Sequence, residues 1–350
     1  MAEKQVIEMG EFRIQPGQQQ SISLPLPSLY SHTPMSLPVH VINGRRRGPV
    51  LFVSAAIHGD EINGVEIIRR LLHKKYLTSI RGALIAVPVV NVYGFVNQSR
   101  YLPDRRDLNR SFPGSEKGSM AARLADIFME EVVSQSTHGI DLHTGAIGRD
   151  NLPQIRANLH DDPVTHDMAC AFGAPVMLNA ELRDGSLRET VAGLGIPMLL
   201  YEAGEALRFN ELSIRAGVRG ITSVMRHLGM LPKSRRPSRV QPLLAKSTRW
   251  VRASQSGILR CFVALGARVS KNQLIGWIAD PFGKKEKAIT APFSGIVIGR
   301  TNLPLVHEGE ALFHIASFSK PDSAAESVEV FQETYDPMAD RAGNQEPPII

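Results

Sequence analysis

The stretch Ala55-Ala56-Ile57-His58-Gly59-Asp60-Glu61 places a histidine three residues before a glutamate. It follows a short apolar run, Val50-Leu51-Phe52-Val53, of the kind that forms a strand buried on both faces. On a loop after such a strand, both side chains can turn toward one cation. His supplies a nitrogen and Glu an oxygen, both of which zinc accepts. The pair alone is a weak signal, because the same spacing occurs on ordinary surface loops. His143 strengthens it. Gly139-Ile140-Asp141-Leu142 is a second apolar segment, and it runs into His143-Thr144-Gly145. Three protein ligands leave a tetrahedral zinc one open position, the arrangement of a catalytic site. Asp141 stands two residues before His143, so strand alternation puts both on one face and lets Asp141 orient a ligand or line the site.

Such a site needs a base for its water. Pro197-Met198-Leu199-Leu200-Tyr201 is another apolar segment ending on an acid, Glu202. Sites in open α/β sheets gather at the carboxyl ends of strands. A long polar segment, residues 91–114, contains Arg100-Tyr101-Leu102-Pro103-Asp104-Arg105-Arg106-Asp107-Leu108-Asn109-Arg110. Loops of this length inside a compact domain are usually functional or disordered. Asn109 and Arg110 suit a substrate carboxylate, since guanidinium and carboxylate pair through two parallel hydrogen bonds. A further arginine could stabilise an oxyanion.

The elements that must position these groups alternate in type. Val65, Ile68, Leu71 and Leu72 recur at helical spacing, and Ala83 to Val90 reads as a strand. Met120 to Val133 reads as a helix, as does the stripe Ile214, Val218, Ile221, Met225 and Leu228. Strands alternating with helices indicate an α/β domain over 48–230. Residues 1–47 read as an N-terminal β segment punctuated by prolines, and 231–245 as a basic linker. Residues 246–317 have the glycine-punctuated texture of a small all-β domain. Residues 318–350 are poor in apolar groups and read as a disordered acidic tail.

Bulk properties bound the function. The chain has 350 residues, 43% hydrophobic and 21% charged, as in a globular protein with a core. Two separated cysteines, Cys170 and Cys261, read as ordinary buried thiols. No stretch approaches the roughly 18 apolar residues of a membrane span, and the N-terminus lacks a signal-like apolar run. A cytoplasmic protein without membrane attachment is expected, and a homo-oligomer is compatible with the sequence. The net charge of +6 comes largely from Arg45-Arg46-Arg47 and Lys233–Arg239. Neither run has interleaved aromatics, which argues against nucleic acid as a partner.

Four pieces in order, His58-Gly-Asp-Glu61, Asp107-Leu-Asn109-Arg110, Asp141-Leu-His143-Thr144 and Tyr201-Glu202-Ala-Gly, resemble the succinylglutamate desuccinylase/aspartoacylase family, relatives of zinc carboxypeptidases. The resemblance covers roughly residues 48–230. It implies a mixed eight-stranded sheet with flanking helices and one zinc per chain held by His58, Glu61 and His143. It implies Glu202 as the base that activates water, and Asp107, Asn109 and Arg110 as the substrate-binding motif. Arg100-Tyr101 matches the pair carrying the family's carbonyl-polarising arginine, with Arg105 and Arg106 as rivals because the gap to Asp107 is longer here. The implied reaction is hydrolysis of an N-acyl amino acid. A carboxypeptidase acting on small peptides and a non-catalytic binding protein are the alternatives. Residues 246–317 separately resemble a biotinyl/lipoyl-type barrel sandwich, through segments such as Ala291-Pro292-Phe293-Ser294-Gly295. The hairpin expected to carry a modified lysine, with Lys284 and Lys285, lacks the biotin carriers' Met-Lys-Met, so a structural role for the module is expected.

Overall fold

The computed structural model describes residues 5–234 and 240–336. Its first strands are β1 (Ile7–Met9), β2 (Phe12–Ile14), β3 (Gln19–Leu26), β4 (Met35–Asn43) and β5 (Arg46–Ala55). The α/β core continues with α1 (Asn63–Leu72), β6 (Arg81–Val87), α2 (Val92–Val96), α3 (Met120–Phe128), β7 (His138–Gly145), β8 (Arg149–Ala157), α4 (Pro163–Phe172), β9 (Val176–Asn179), α5 (Leu187–Gly193), β10 (Met198–Glu205) and α6 (Glu211–His227). The C-terminal part holds β11 (Leu243–Leu244), β12 (Ser247–Arg252), β13 (Gly257–Cys261), β14 (Arg268–Val269), β15 (Leu274–Ala279), β16 (Glu286–Thr290), β17 (Gly295–Thr301), β18 (Leu305–Val306), β19 (Ala311–Ser317) and α7 (Pro321–Tyr335).

The eight strands β3 to β10 form the expected mixed sheet, ordered β3-β4-β6-β5-β7-β10-β8-β9. Its centre, β6-β5-β7-β10, is parallel. Residues such as Leu51, Val53, Ile140, Leu142 and Leu199 are fully or almost fully buried, as helices on both faces require. One face packs on α1, α4 and α6, where Ile214, Ile221 and Met225 are inaccessible to solvent. The other packs on α3, α5 and the β1–β2 ribbon. The helix expected over 120–133 forms, with a π turn at Met129–Val133. Among the described residues, no helix is long and apolar enough to cross a membrane.

The structure revises several expectations. The N-terminal segment is not separate, because β4 pairs with β6 and so completes the central sheet. The C-terminal module is also continuous with it. β17 pairs antiparallel with β8, extending the sheet to 13 strands, while β16-β15-β13-β18 forms a second layer over a core of its own. Within the linker, Leu243–Leu244 pairs with β9, while residues 235–239 lie outside the described residues. The expected disordered tail instead forms α7. Ala324, Val328 and Phe331 are buried at helical spacing, a stripe that the low overall apolar content obscured. Residues 337–350 lie outside the described residues. Cys170 and Cys261 are exposed rather than buried. Cys170 lies on the side of α4 away from buried Thr165, Met168, Ala169 and Phe172. Arg45, Arg46 and Arg47 are exposed, as expected of solvated charge.

Candidate active site

β5 ends at Ala55, and the chain turns through Ala56, a buried non-glycine residue at φ +51. That conformation is disfavoured for a side chain and clusters at functional sites. It is held here by Asn91 N–H donating to the Ala56 carbonyl at 2.9 Å. Gly59 then passes so close to Gly94 that an added Cβ would lie 2.0 Å from its carbonyl carbon. The turn delivers His58 and Glu61 against β7, where they meet His143.

His58, Glu61 and His143 are 4%, 3% and 6% exposed. One candidate donor atom from each lies within 4.8 Å of the others. His58 Nδ1 is 2.6 Å from Glu61 Oε1, and His143 Nδ1 is 2.8 Å from Glu61 Oε2. Two imidazole nitrogens thus converge on one buried carboxylate, which requires either protons between them or a cation in their place. The donor set fits a metal ion of zinc type. His143 Nε2 is 2.6 Å from Asp141 Oδ2, and Ser54 Oγ donates to Asp141 Oδ1 at 2.7 Å. Fixing the far nitrogen in this way leaves Nδ1 as the ligand atom. Burial alone would raise the Glu61 pKa, but the two histidines outweigh it and hold the group well below the ordinary carboxylate range. Burial would likewise depress His143, yet Asp141 and Glu61 push its pKa well above the ordinary value.

Parallel pairing of β10 with β7 sets Glu202 directly beside His143, with both side chains on one face. Glu202 is held from β8. Asn151 Nδ2 donates to its Oε1 at 2.8 Å, and Arg156 Nε lies 2.6 Å from Oε2, an ion pair whose N–H is poorly aligned. Strand alternation would put Asn151 and Arg156 on opposite faces. A bulge prevents this, since Glu202 faces Gln154 while Gly204 faces Asn151, leaving one extra residue in β8. Pro153, which has no N–H to donate, lies in that interval. Neither His143 nor Glu202 is the last residue of its strand, as the sequence suggests. β7 runs on to Gly145 and β10 to Glu205.

The 91–114 segment is ordered by α2 and a 3-10 turn at Leu108–Arg110. Arg100 pairs with Asp107 through two N–H groups at 3.1 and 2.9 Å, and its Nη1 lies 3.6 Å from Glu61 Oε1. Asp107 Oδ1 in turn stands 3.3 Å from His58 Nε2. Arg105 and Arg106 are exposed and do not line the site cavity, so Arg100 alone of the three rivals reaches it. Asn109 Oδ1 accepts the Leu187 N–H at 3.0 Å, which turns its NH2 group toward the cavity it lines. Arg110 lines the same cavity.

That cavity, of about 650 Å³, holds the candidate ligands, Glu202, Arg100, Asn109 and Arg110 together. It also contains residues that sequence reasoning missed. Arg188 lies in the first turn of α5, with its guanidinium donating to the Ala180 and Glu181 carbonyls. Burial brings its pKa down to about 10, and Arg156 and Arg183 add to that effect. A cation in the first turn opposes the helix dipole. The capping sequence Ser186-Leu187-Arg188-Glu189 marked this helix start and could have drawn attention to it. Trp250, on β12 of the C-terminal module, forms another wall, with Arg149 Cζ 5.5 Å above its ring and His314 stacked beneath it at 4.6 Å. No local signal marks Trp250, because its position follows from the continuous sheet.

An α/β fold with a buried His-Glu-His donor set beside a carboxylate on the neighbouring strand defines a hydrolase-type site able to hold a metal. Residues 47–228 match the succinylglutamate desuccinylase/aspartoacylase catalytic domain. The chain belongs to the succinylglutamate desuccinylase/aspartoacylase family. It is 30% identical over 254 residues to the N-alpha-acetyl-L-2,4-diaminobutyric acid deacetylase of Halomonas elongata, covering 70% of this chain and 74% of that one. The fold is similar to that of a succinylglutamate desuccinylase/aspartoacylase from Rhodobacter sphaeroides, with TM-score 0.77, 25% identity, and coverage of 86% and 96% of the two chains. The product-bound ectoine utilization protein EutE (DoeB) from Ruegeria pomeroyi shares the fold at TM-score 0.79 and 24% identity, covering 90% of this chain and all (100%) of that one.

Proposed function

We propose that this protein is a zinc-dependent amidohydrolase that releases the acyl group of a small N-acyl amino acid. The observation that carries the reading is the register of β10 on β7, which sets a held carboxylate, Glu202, beside the His58–Glu61–His143 donor set. The deacetylase of Halomonas elongata supports a small acyl group and an amino acid amine.

His58, Glu61 and His143 would hold the zinc, which supplies Lewis acidity to water and to the scissile carbonyl. The other steps belong to the chain's own groups. Arg110 and the NH2 of Asn109 bind the substrate carboxylate, and half-buried Arg188 adds a second cation to the cavity. Arg100, fixed by Asp107, donates to the carbonyl oxygen as negative charge develops on it. Glu202 accepts a proton from the attacking water and returns it to the leaving amine. Asn151 and Arg156 keep its two oxygens oriented during that exchange. Trp250 narrows the cavity from the side of the C-terminal module, which favours small substrates over extended peptides. The module's Lys284 and Lys285 sit in an exposed turn and take no part.

The test is a substrate panel with metal analysis. N-acetyl amino acids, N-succinyl amino acids and dipeptides are incubated with the purified protein while free amine is measured. We expect about one zinc per chain, and turnover of an acyl amino acid that falls at least 100-fold in Glu202→Gln while the zinc content holds. Peptide turnover without acyl-amino-acid turnover, or a fully active Glu202→Gln, overturns the proposal.

A further inference from the structure

A second cavity, of about 230 Å³, shares Arg156, Asn179 and Ala180 with the wall of the active-site cavity. Its mouth carries Lys246, Ser247, Thr248 and His160, all exposed, and His314 lies in its wall, 5% exposed. Arg156 spans the partition. Its Nε lies against Glu202 on one side, while its side chain lines the second cavity on the other. None of the described residues that line this cavity is acidic, whereas the active-site cavity contains Glu61, Asp141, Glu181 and Glu202. The side chamber therefore has one cation, Arg156, in the wall it shares with the active site, and a second, Lys246, beside the hydroxyls of Ser247 and Thr248. Its volume holds a small carboxylate with room to spare. Buried His314 presents Nδ1 without a hydrogen-bond partner.

We infer that this side chamber is a binding site for a small carboxylate anion and that it takes the acid released by hydrolysis. The identity of that acid rests on the proposed hydrolase reading, but the site itself does not. Amide cleavage yields an amine and a carboxylate, and the new negative charge forms beside Glu202. Arg156 is the cation that touches Glu202 and also lines the chamber that carries Lys246. An acid taken up by that chamber separates from the amine product, whose own carboxylate stays with Asn109 and Arg110.

The experiment measures binding of 13C-labelled acetate to the zinc-loaded protein by NMR titration, which does not depend on turnover. The arms are wild type, Lys246→Glu/His160→Glu and the neutral Lys246→Met, each checked for an unchanged melting temperature. Both substituted side chains are exposed, so the fold should tolerate them. We expect saturable acetate binding that weakens by at least ~5-fold in the double variant and by less in Lys246→Met, the size expected for exposed charge pairs. Inorganic phosphate is titrated in parallel. Equal acetate affinity in all three proteins would place the anion outside the side chamber, at the metal or the Asn109–Arg110 clamp, and overturn the inference. Phosphate binding without acetate binding would overturn it too, by showing a phosphate-selective site in place of one for the released acid.

Discussion

Asp141 offers the sharpest test of how the donor set is organised. It is 1% exposed and makes two short contacts, His143 Nε2 at 2.6 Å and Ser54 Oγ at 2.7 Å. In Asp141→Asn the amide oxygen can keep the contact to His143 while its NH2 turns to Ser54, whose hydroxyl rotates to accept. The geometry then survives and only the charge is lost. Losing such a partner behind a ligating histidine typically costs 10- to 100-fold in metal affinity, or about 1.4–2.7 kcal/mol. Asp141→Ala should do worse, because it also leaves the buried His143 N–H unsatisfied, at a further cost of about 1–3 kcal/mol. The assay is zinc affinity by competition with a chromogenic chelator, read alongside melting temperature with and without zinc. Bound ligand stabilises in proportion to the logarithm of its concentration over Kd. The zinc-dependent rise in melting temperature should therefore shrink in the order wild type, Asn, Ala. A zinc Kd for Asp141→Asn within twofold of wild type would refute the claim that this carboxylate tunes His143.

Two further perturbations test the frame around the site. Burial, with Arg156 nearby, holds the His314 pKa down to about 3, whereas the unfolded chain titrates near 6.5. The folded state thus binds fewer protons, and His314 costs nothing above pH 6.5 but destabilises as pH falls below it, by about 2 kcal/mol at pH 5. Urea unfolding of His314→Phe, which keeps a ring against Trp250, should show a shallower loss of stability from pH 6.5 to 5; an unchanged slope would show that His314 is not buried neutral. Gly204 sits at φ +80 where β10 carries one extra residue relative to β7, Glu202 facing His143 but Glu205 facing Gly145, and an added Cβ would lie 2.4 Å from Asn63 Nδ2. Gly204→Ala should cost about 2 kcal/mol or more in denaturant stability, through both backbone strain and the displaced Asn63; a loss under about 0.5 kcal/mol would mean that the bulge relaxes freely.

The sequence alone determined the parts of the site that rest on local order. His58 and Glu61 lie on one short loop after a buried strand, and Asp141 and His143 alternate on one face, so spacing was enough to group them. The strands themselves announced their burial through apolar runs such as Val50–Val53, and α6 announced its face through Ile214, Val218, Ile221 and Met225. α7 escaped notice because its stripe of Ala324, Val328 and Phe331 is thin and set among acids, and composition averages over such a pattern. Only the tertiary structure decided which arginine reaches the donor set, because Arg100, Arg105 and Arg106 differ in where a folded loop aims them. It alone brought Asn151 and Arg156 onto one side of Glu202, through a one-residue bulge that reverses the alternation of β8. It alone brought Trp250 to the cavity, because pairing of β17 with β8 joins two stretches of chain that look independent in sequence. Spacing within a few residues fixes side-chain direction through backbone periodicity, whereas register between distant strands is set by packing of the whole sheet.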